Sequence, residues 1–459
     1  MRTLLAIAAA AALTGCAVLS EPRPEPMSVQ PAWRAVPVQA APFEAEWWRA
    51  LGDPVLDGLV AEAQQRNADV KLAATRVAQA RALGAAARAE TRPSVGIGVR
   101  ADRRRYPSQR YPGFDEPAPA STFNQIGGGI EASYEIDLFG RLAKGLARAQ
   151  DELRASESDA RTVELAVTYD VVAAYAEARA AGARIRTARE LAATAARLGT
   201  TEARLVKAGV ATQRDAREAE DIVGAAEVTV AFHERDRADA IARLALLLGK
   251  APIDVVLPDH AVPLDAARVQ VGADLPASVI ERRPDVQAAW HRLSAATTDI
   301  ERARLERYPR ITLTGALGFA SNELHTWLVR NALAWALGAG ASMPIVDGGR
   351  IEARTAFAVA VRDEYAVAYR RTVIAALTDV ERALATWQAV QVRNGERSEA
   401  LTRRLRDLEA VERAIRAGRT DERQRIRDRI AMLAAEDALA ATALDRVLAY
   451  AAVRHALAQ

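Results

Sequence analysis

The chain of 459 residues has one cysteine, Cys16, so no internal disulfide and no multi-thiolate metal site can form. Charge of one sign is missing as well: 62 Lys and Arg against 59 Asp and Glu leave +3, too balanced to argue for a nucleic-acid partner. No apolar run of about twenty residues follows Cys16, which excludes a conventional helical membrane span. The five histidines (His233, His260, His291, His325 and His455) share no metal-like spacing with carboxylates. A nucleophile elbow and a phosphate loop are also lacking, so no enzyme, metal site or cofactor is expected. Aromatics are 5% of a half-hydrophobic, alanine-rich chain that is long enough for two or three ordinary domains. Proline is absent between Pro119 and Pro252 and again after Pro344. Because proline costs about 3 kcal/mol inside a helix, stretches this long invite very long helices.

What is present begins with a signal. Met1-Arg2-Thr3 is a short positive start, residues 4–13 are apolar, and Thr14-Gly15 lead into Cys16. The apolar run is about half a membrane span, the length of a secretory signal. Leu-Thr-Gly-Cys matches the lipobox of bacterial lipoproteins, in which the thiol is acylated and becomes the new N-terminus. An ordinary signal peptide with an incidental cysteine is the alternative. Ala17, in place of aspartate, resembles lipoproteins sorted to the outer membrane. Proline-rich residues 21–42 read as an extended tether. The expected organisation starts with a signal peptide at 1–15 and a lipidated tether at 16–45.

The long stretches are helical in content. Val163, Val167, Val171, Ala174 and Ala178 recur at three- and four-residue steps. A helix over residues 141–207 would reach roughly 100 Å at 1.5 Å per residue. A fibrous coiled coil would show the same pattern. The chain also repeats itself. Asp69 and Pro93 have counterparts 216 residues on, at Asp285 and Pro309, while Ser133, Arg141 and Gly209 have theirs 209 on, at Ser342, Arg350 and Gly418. Two tandem copies of one plan follow, over residues 46–248 and 276–459, with a linker at 249–275.

Each copy holds two short alternating segments, about 94–105 and 124–138, then about 310–320 and 334–345. Ile126, Ile130, Tyr134, Ile136 and Leu138 point one way and Gln125, Glu131, Ser133, Glu135 and Asp137 the other. Ile311, Leu313, Leu317 and Phe319 oppose Thr312 and Thr314, and Trp335, Leu337, Met343 and Ile345 form the apolar side of the last. Alternation over about ten residues is the pattern of a transmembrane β-strand, although two hairpins on a soluble core would also alternate. Four strands cannot close a barrel, and lipid does not tolerate open edges, so several copies must contribute. Eight strands are nearly filled by side chains; twelve leave a lumen.

The lipobox, WWRALGDPVLDGLVAEAQQRNADV from Trp47, YEIDLFGR from Tyr134, ERRPDV from Glu281 and PIVDGGR from Pro344 are distributed over essentially the whole chain. Together they resemble the TolC-like outer-membrane efflux proteins, in particular the lipidated factors of resistance–nodulation–division pumps. The resemblance implies a mostly α-helical homotrimer with four strands per chain in a twelve-stranded barrel, a helical barrel in the periplasm, and an equatorial belt from about residues 248–276 and the chain ends. It implies passive conduction of small molecules, an inner-membrane pump that supplies the driving force, and a periplasmic adaptor (membrane fusion) protein between them. The duct of a type I protein secretion system and a structural coiled-coil lipoprotein are the alternatives.

Most motif residues have architectural roles. Gly140, Gly348 and Gly349 permit the strand-to-helix turn. Arg141 and Arg350 start the long helices, with Asp137 or Asp347 as expected partners. Pro284 and Asp285 suit a helix N-terminus. Gly209 and Gly418 are expected to end the descending helices, and Thr212 and Thr420 to cap the returning ones. These turns form the tip where the family closes its pore. Relatives carry leucine five residues after the second glycine and aspartate nine after; this chain has Arg423 and Arg427 there, with Asp428 one place late. An arginine constriction attracts anions. The two arginines could instead latch to Asp421, Glu422 or Asp428, or the segment could be a solvated helix face.

Overall fold

The protein's structure, a computed structural model, describes residues 32–34, 44–108, 119–258, 264, 266, 269, 271 and 276–459. The signal peptide, Cys16 and most of the 16–45 tether lie outside them. The first half runs α1 (Pro54–Arg66), α2 (Ala68–Glu90), β1 (Ser94–Tyr106), β2 (Ser121–Ile136), α3 (Arg141–Lys207) and α4 (Gln213–Leu248). The second half runs α5 (Pro276–Arg282), α6 (Pro284–Leu305), β3 (Arg310–Ser321), β4 (Leu333–Ser342), α7 (Arg350–Arg416) and α8 (Glu422–Ala456). Counterparts match in length: α3 and α7 have 67 residues each, α4 and α8 have 36 and 35. The duplication seen in the sequence is therefore a duplication of the fold. No described helix is long and apolar enough to cross a membrane.

The described chain divides into two compact units. One, residues 78–155 and 289–368, contains a four-stranded antiparallel sheet in the order β1-β2-β3-β4. Both hairpins are local, and β2 to β3 is the pairing that joins the repeats. β4 stops at Ser342, short of the expected 345, because Pro344 has no N–H to give a ladder. Below the sheet the helices are tied by charge: Arg148 Nε to Asp299 at 2.6 Å, Lys144 to Glu301, and Arg354 to Glu306 at 2.7 Å. Ser294 donates to Asp151 at 2.8 Å, and Leu293 and Ile300 are buried.

The other unit, residues 26–77, 156–288 and 369–459, holds the main core. Trp47, Leu56 and Val60 pack with Val171, Tyr175, Leu244, Leu248, Leu264, Ala266 and Tyr450. Tyr450 meets Trp47 edge-on at 5.5 Å and donates to its carbonyl at 3.2 Å. Asp53 caps α1 through the Val55 N–H at 2.9 Å and also takes the Tyr175 hydroxyl at 2.9 Å and the Arg179 guanidinium. Burial and the Asp53 charge push the Tyr175 phenol up to about 12.

Burial holds His233, His291 and His455 below the ordinary imidazole pKa. His233 of α4 lies 3.4 Å from Asp437 of α8, itself forked to Arg184 of α3 by two bonds of 2.8 Å; Asp236 is 3.9 Å away. Folding favours the neutral ring, so as pH falls below about 6.5 the unfolded chain takes up the proton first. Stability is therefore full above that pH and is lost progressively as pH falls towards the folded pKa. The slope is at most about 1.4 kcal/mol per pH unit for each histidine. His233→Asn should lose less melting temperature than wild type between pH 7.5 and 5.5 in thermal denaturation. An equal loss would show that His233 does not contribute.

Candidate functional site

The sheet register sorts side chains into two faces. Ile97, Ile130, Leu317 and Trp335 form one cross-strand row; Val99, Gly128, Phe319 and Leu333 form the next on the same face. On this face Ile97 is 81% exposed, Trp335 72% and, in a neighbouring row, Leu337 80%. From the row of Ile136 and Ile311 to that of Ala101 and Ile126, the apolar face covers ten residue steps. At about 3.4 Å per step and a tilt of about 40°, that is about 25 Å, the apolar height of an outer-membrane barrel. The reverse face carries Arg100, Glu131, Ser133, Glu135, Thr312 and Thr314 among glycines.

The strand-to-helix turns are built by carboxylates. Asp137 accepts from the N–H groups of Leu142 and Ala143 at 3.0 and 2.7 Å, and Asp347 from those of Gly349 and Ile351 at 3.0 and 2.8 Å. Gly140, Gly348 and Gly349 have φ of +82°, +66° and +84°, where L-residues are strained. Arg141 and Arg350 begin α3 and α7. Of the expected pairings of Arg141 and Arg350 with Asp137 or Asp347, Arg141 with Asp137 does not form, while the Asp347 carboxyl is held below the usual range by the Ile351 N–H and further by the Arg350 charge. Both aspartates are engaged by helix N–H groups, and Arg141 forks onto Glu135 at 2.8 Å instead.

The helix tips follow one design. Gly209 and Gly418 adopt φ of +73° and +67°. Val210 N–H reaches Leu205 O and Arg419 N–H reaches Ala414 O, both at 2.9 Å, closing the helix ends. Thr212 caps α4 in a reciprocal box with Asp215. The cap of α8 is Asp421, accepting from Gln424 N–H at 3.2 Å, and not Thr420. Arg423 donates to Asp421 at 2.8 Å and holds its carboxyl below the usual range. Glu422 takes Arg425, and Asp428 accepts from Gln424 Nε2 at 3.1 Å.

The partner of Arg427 is a residue the sequence did not announce. Glu202 of α3 is 0% exposed, with Arg427 at 3.2 Å and Arg423 at 3.8 Å. Beside this triad Leu198, Ala219 and Ile426 pack into a small apolar core. One buried carboxylate of the first repeat thus ties two arginines of the second. Of the carboxylates expected to latch Arg423 and Arg427, Asp421 takes Arg423, whereas Glu422 takes Arg425 and Asp428 takes Gln424; Arg427 meets Glu202 instead.

A membrane-height apolar sheet face, joined to helices of 67 residues, defines an outer-membrane channel protein. The family model for outer membrane efflux proteins matches residues 59–250 and 275–459, so the chain belongs to that family. It is 31% identical to the toluene efflux pump outer membrane protein TtgF of Pseudomonas putida, over 83% of this chain and 81% of that one. Identity to outer membrane protein OprJ of Pseudomonas aeruginosa is 30%, over 74% and 70%. The solved outer-membrane channel OprN matches with a TM-score of 0.85 at 25% identity, over 96% of this chain and 99% of that one. The protein is an efflux channel of the outer membrane.

Proposed function

We propose that three copies close a twelve-stranded barrel whose lumen is the exit duct of a tripartite efflux pump. The observation that carries this reading is the sheet itself, apolar and exposed on one face with free edges at β1 and β4. Free edges are not tolerated in lipid, and twelve strands leave an aqueous lumen. Further support comes from large apolar side chains left bare on the helices. Ile374 and Val392 of α7 are 57% and 66% exposed and five turns apart on one face, and Val228 of α4 is 54% exposed. A neighbouring subunit covers them.

The channel conducts passively, fed by an inner-membrane transporter of the resistance–nodulation–division class through a periplasmic adaptor. TtgF is named for toluene efflux; small, toxic organic compounds are the substrate class by that likeness, which favours efflux over a protein-secretion duct. The belt expected from about residues 248–276 and the chain ends lies partly outside the described residues; within it Leu264 and Ala266 pack into the main core. Cys16 carries the lipid, and acylation sets location without being needed for folding. Cys16→Ala protein should take up no labelled palmitate yet still yield membrane oligomer; equal labelling would end the anchor assignment.

Arginine substitutions test the wall. Ile130→Arg, in the middle of the apolar face, should cost about 2–4 kcal/mol, and Leu313→Arg, nearer its inner edge, somewhat less. Glu131→Arg and Thr312→Arg face the lumen and should be tolerated. The readout is heat-modifiable oligomer in detergent extracts of outer membrane. Equal loss from both pairs would contradict the assigned faces.

A further inference from the structure

We propose that Arg103 and Arg105 clamp phosphate groups of the lipid in the outer leaflet of the membrane. The inference rests on the sheet being a barrel wall. Both residues are exposed and share the outward face of β1 with Val95, Ile97 and Val99. Their cross-strand partners, Asn124 and Thr122, are polar, so the apolar face gives way to a polar one on both strands above the row of Ala101 and Ile126. The outward row at the opposite rim, Ile136 with Ile311, carries no charge.

Arginine on a lipid-facing position costs about 2–4 kcal/mol at the midplane and about 0–1 near the interface. Arg103 and Arg105 stand about 5 and 10 Å beyond the end of the apolar face, at headgroup depth, where their stems can lie along the wall. β1 and β2 meet the helices through their other ends, so this rim faces away from the periplasm. The lipid of that leaflet bears phosphate on a sugar head, and the guanidinium fork matches phosphate geometry. Intervening Arg104 points to the lumen side and pairs with Asp102 at 3.3 Å. Among the described residues no carboxylate pairs with Arg103 or Arg105.

The test uses full-length protein in nanodiscs of phosphatidylcholine doped with lipid A, either bisphosphorylated or dephosphorylated. Native mass spectrometry of the released oligomer counts retained lipid A. Wild type should retain the bisphosphorylated form. The Arg103→Gln/Arg105→Gln double variant should retain it roughly thirtyfold less, as expected for two lost surface cation contacts. Arg100→Gln, on the lumen face, should match wild type. Unchanged retention in the double variant, equal retention of dephosphorylated lipid, or displacement by inorganic phosphate would each overturn the clamp. A chain that forms no heat-stable oligomer in any background would instead sink the wall reading on which the clamp stands.

Discussion

Gly129→Ala and Gly318→Ala are each expected to abolish heat-stable oligomer in the outer membrane, whereas Gly96→Ala should leave it intact. The sheet brings Gly98, Gly129 and Gly318 into one cross-strand row, with Ala334 completing it. A Cβ built on Gly129 falls far inside van der Waals contact with the Leu317 carbonyl and the Gly318 Cα. One built on Gly318 collides in the same way with the Gly128 carbonyl and the Gly129 Cα. The obstructing atoms are backbone, which cannot rotate aside, so β2 and β3 must separate. Overpacking in a well-fitted site typically costs about 1–3 kcal/mol, and here the relief would come from breaking ladder hydrogen bonds. Gly96 lies on the same face with nothing within 4 Å of its Cβ position, so it isolates the effect of close approach from that of an added methyl. Normal oligomer yield from both Gly129→Ala and Gly318→Ala would refute the close-approach argument.

These glycines were visible in the sequence only as glycines. Alternation at period two is local information, so the faces of β2 and β3 could be read directly from residues 125–138 and 311–319. The repeat was equally legible, because positions 209 residues apart carry the same turn chemistry. Applied one step further, that offset takes Thr212 to Asp421, so the cap of α8 had a signal that the neighbouring Thr420 obscured. Arg141 had several carboxylates within reach, and only three-dimensional geometry shows that helix N–H groups occupy Asp137 first. Glu202 could not be found by spacing at all. It lies 225 residues before Arg427 in the chain, and as one glutamate in a charged helix it has no distinguishing neighbours. Its burial comes from the packing of α3 against α8, which no local pattern encodes.

The last expected result concerns that carboxylate: Glu202→Gln should raise basal conductance in planar bilayers, and Arg427→Asp should turn the channel towards cations. In each chain Glu202 is fully buried and faces two guanidiniums, while the arginines are partly exposed, Arg423 at 31% and Arg427 at 45%. Removing one partner of such a group is costlier than removing the pair, because the remaining charge loses its compensation. In Glu202→Gln the arginines repel within each chain and, in a trimer, between chains; Asp421 still neutralises Arg423, and Asp215 of α4 offsets part of the charge of both without replacing the buried tie. The tie between α3 of the first repeat and α8 of the second is then cut, and the tip is expected to open. Each ~1.4 kcal/mol removed from a latch shifts the open population tenfold. Arg427→Asp places a second carboxylate against Glu202, which both breaks the tie and makes the constriction acidic, so opening should come with cation preference. Asp428→Ala is the discriminating control: its carboxylate takes Gln424 and no arginine, so it should behave as wild type, as should Arg416→Ala beyond the turn. Conductance and ion selectivity unchanged in both Glu202→Gln and Arg427→Asp would reduce the arginine-rich segment to a solvated helix face. A rise in Asp428→Ala alone would move the latch away from Glu202.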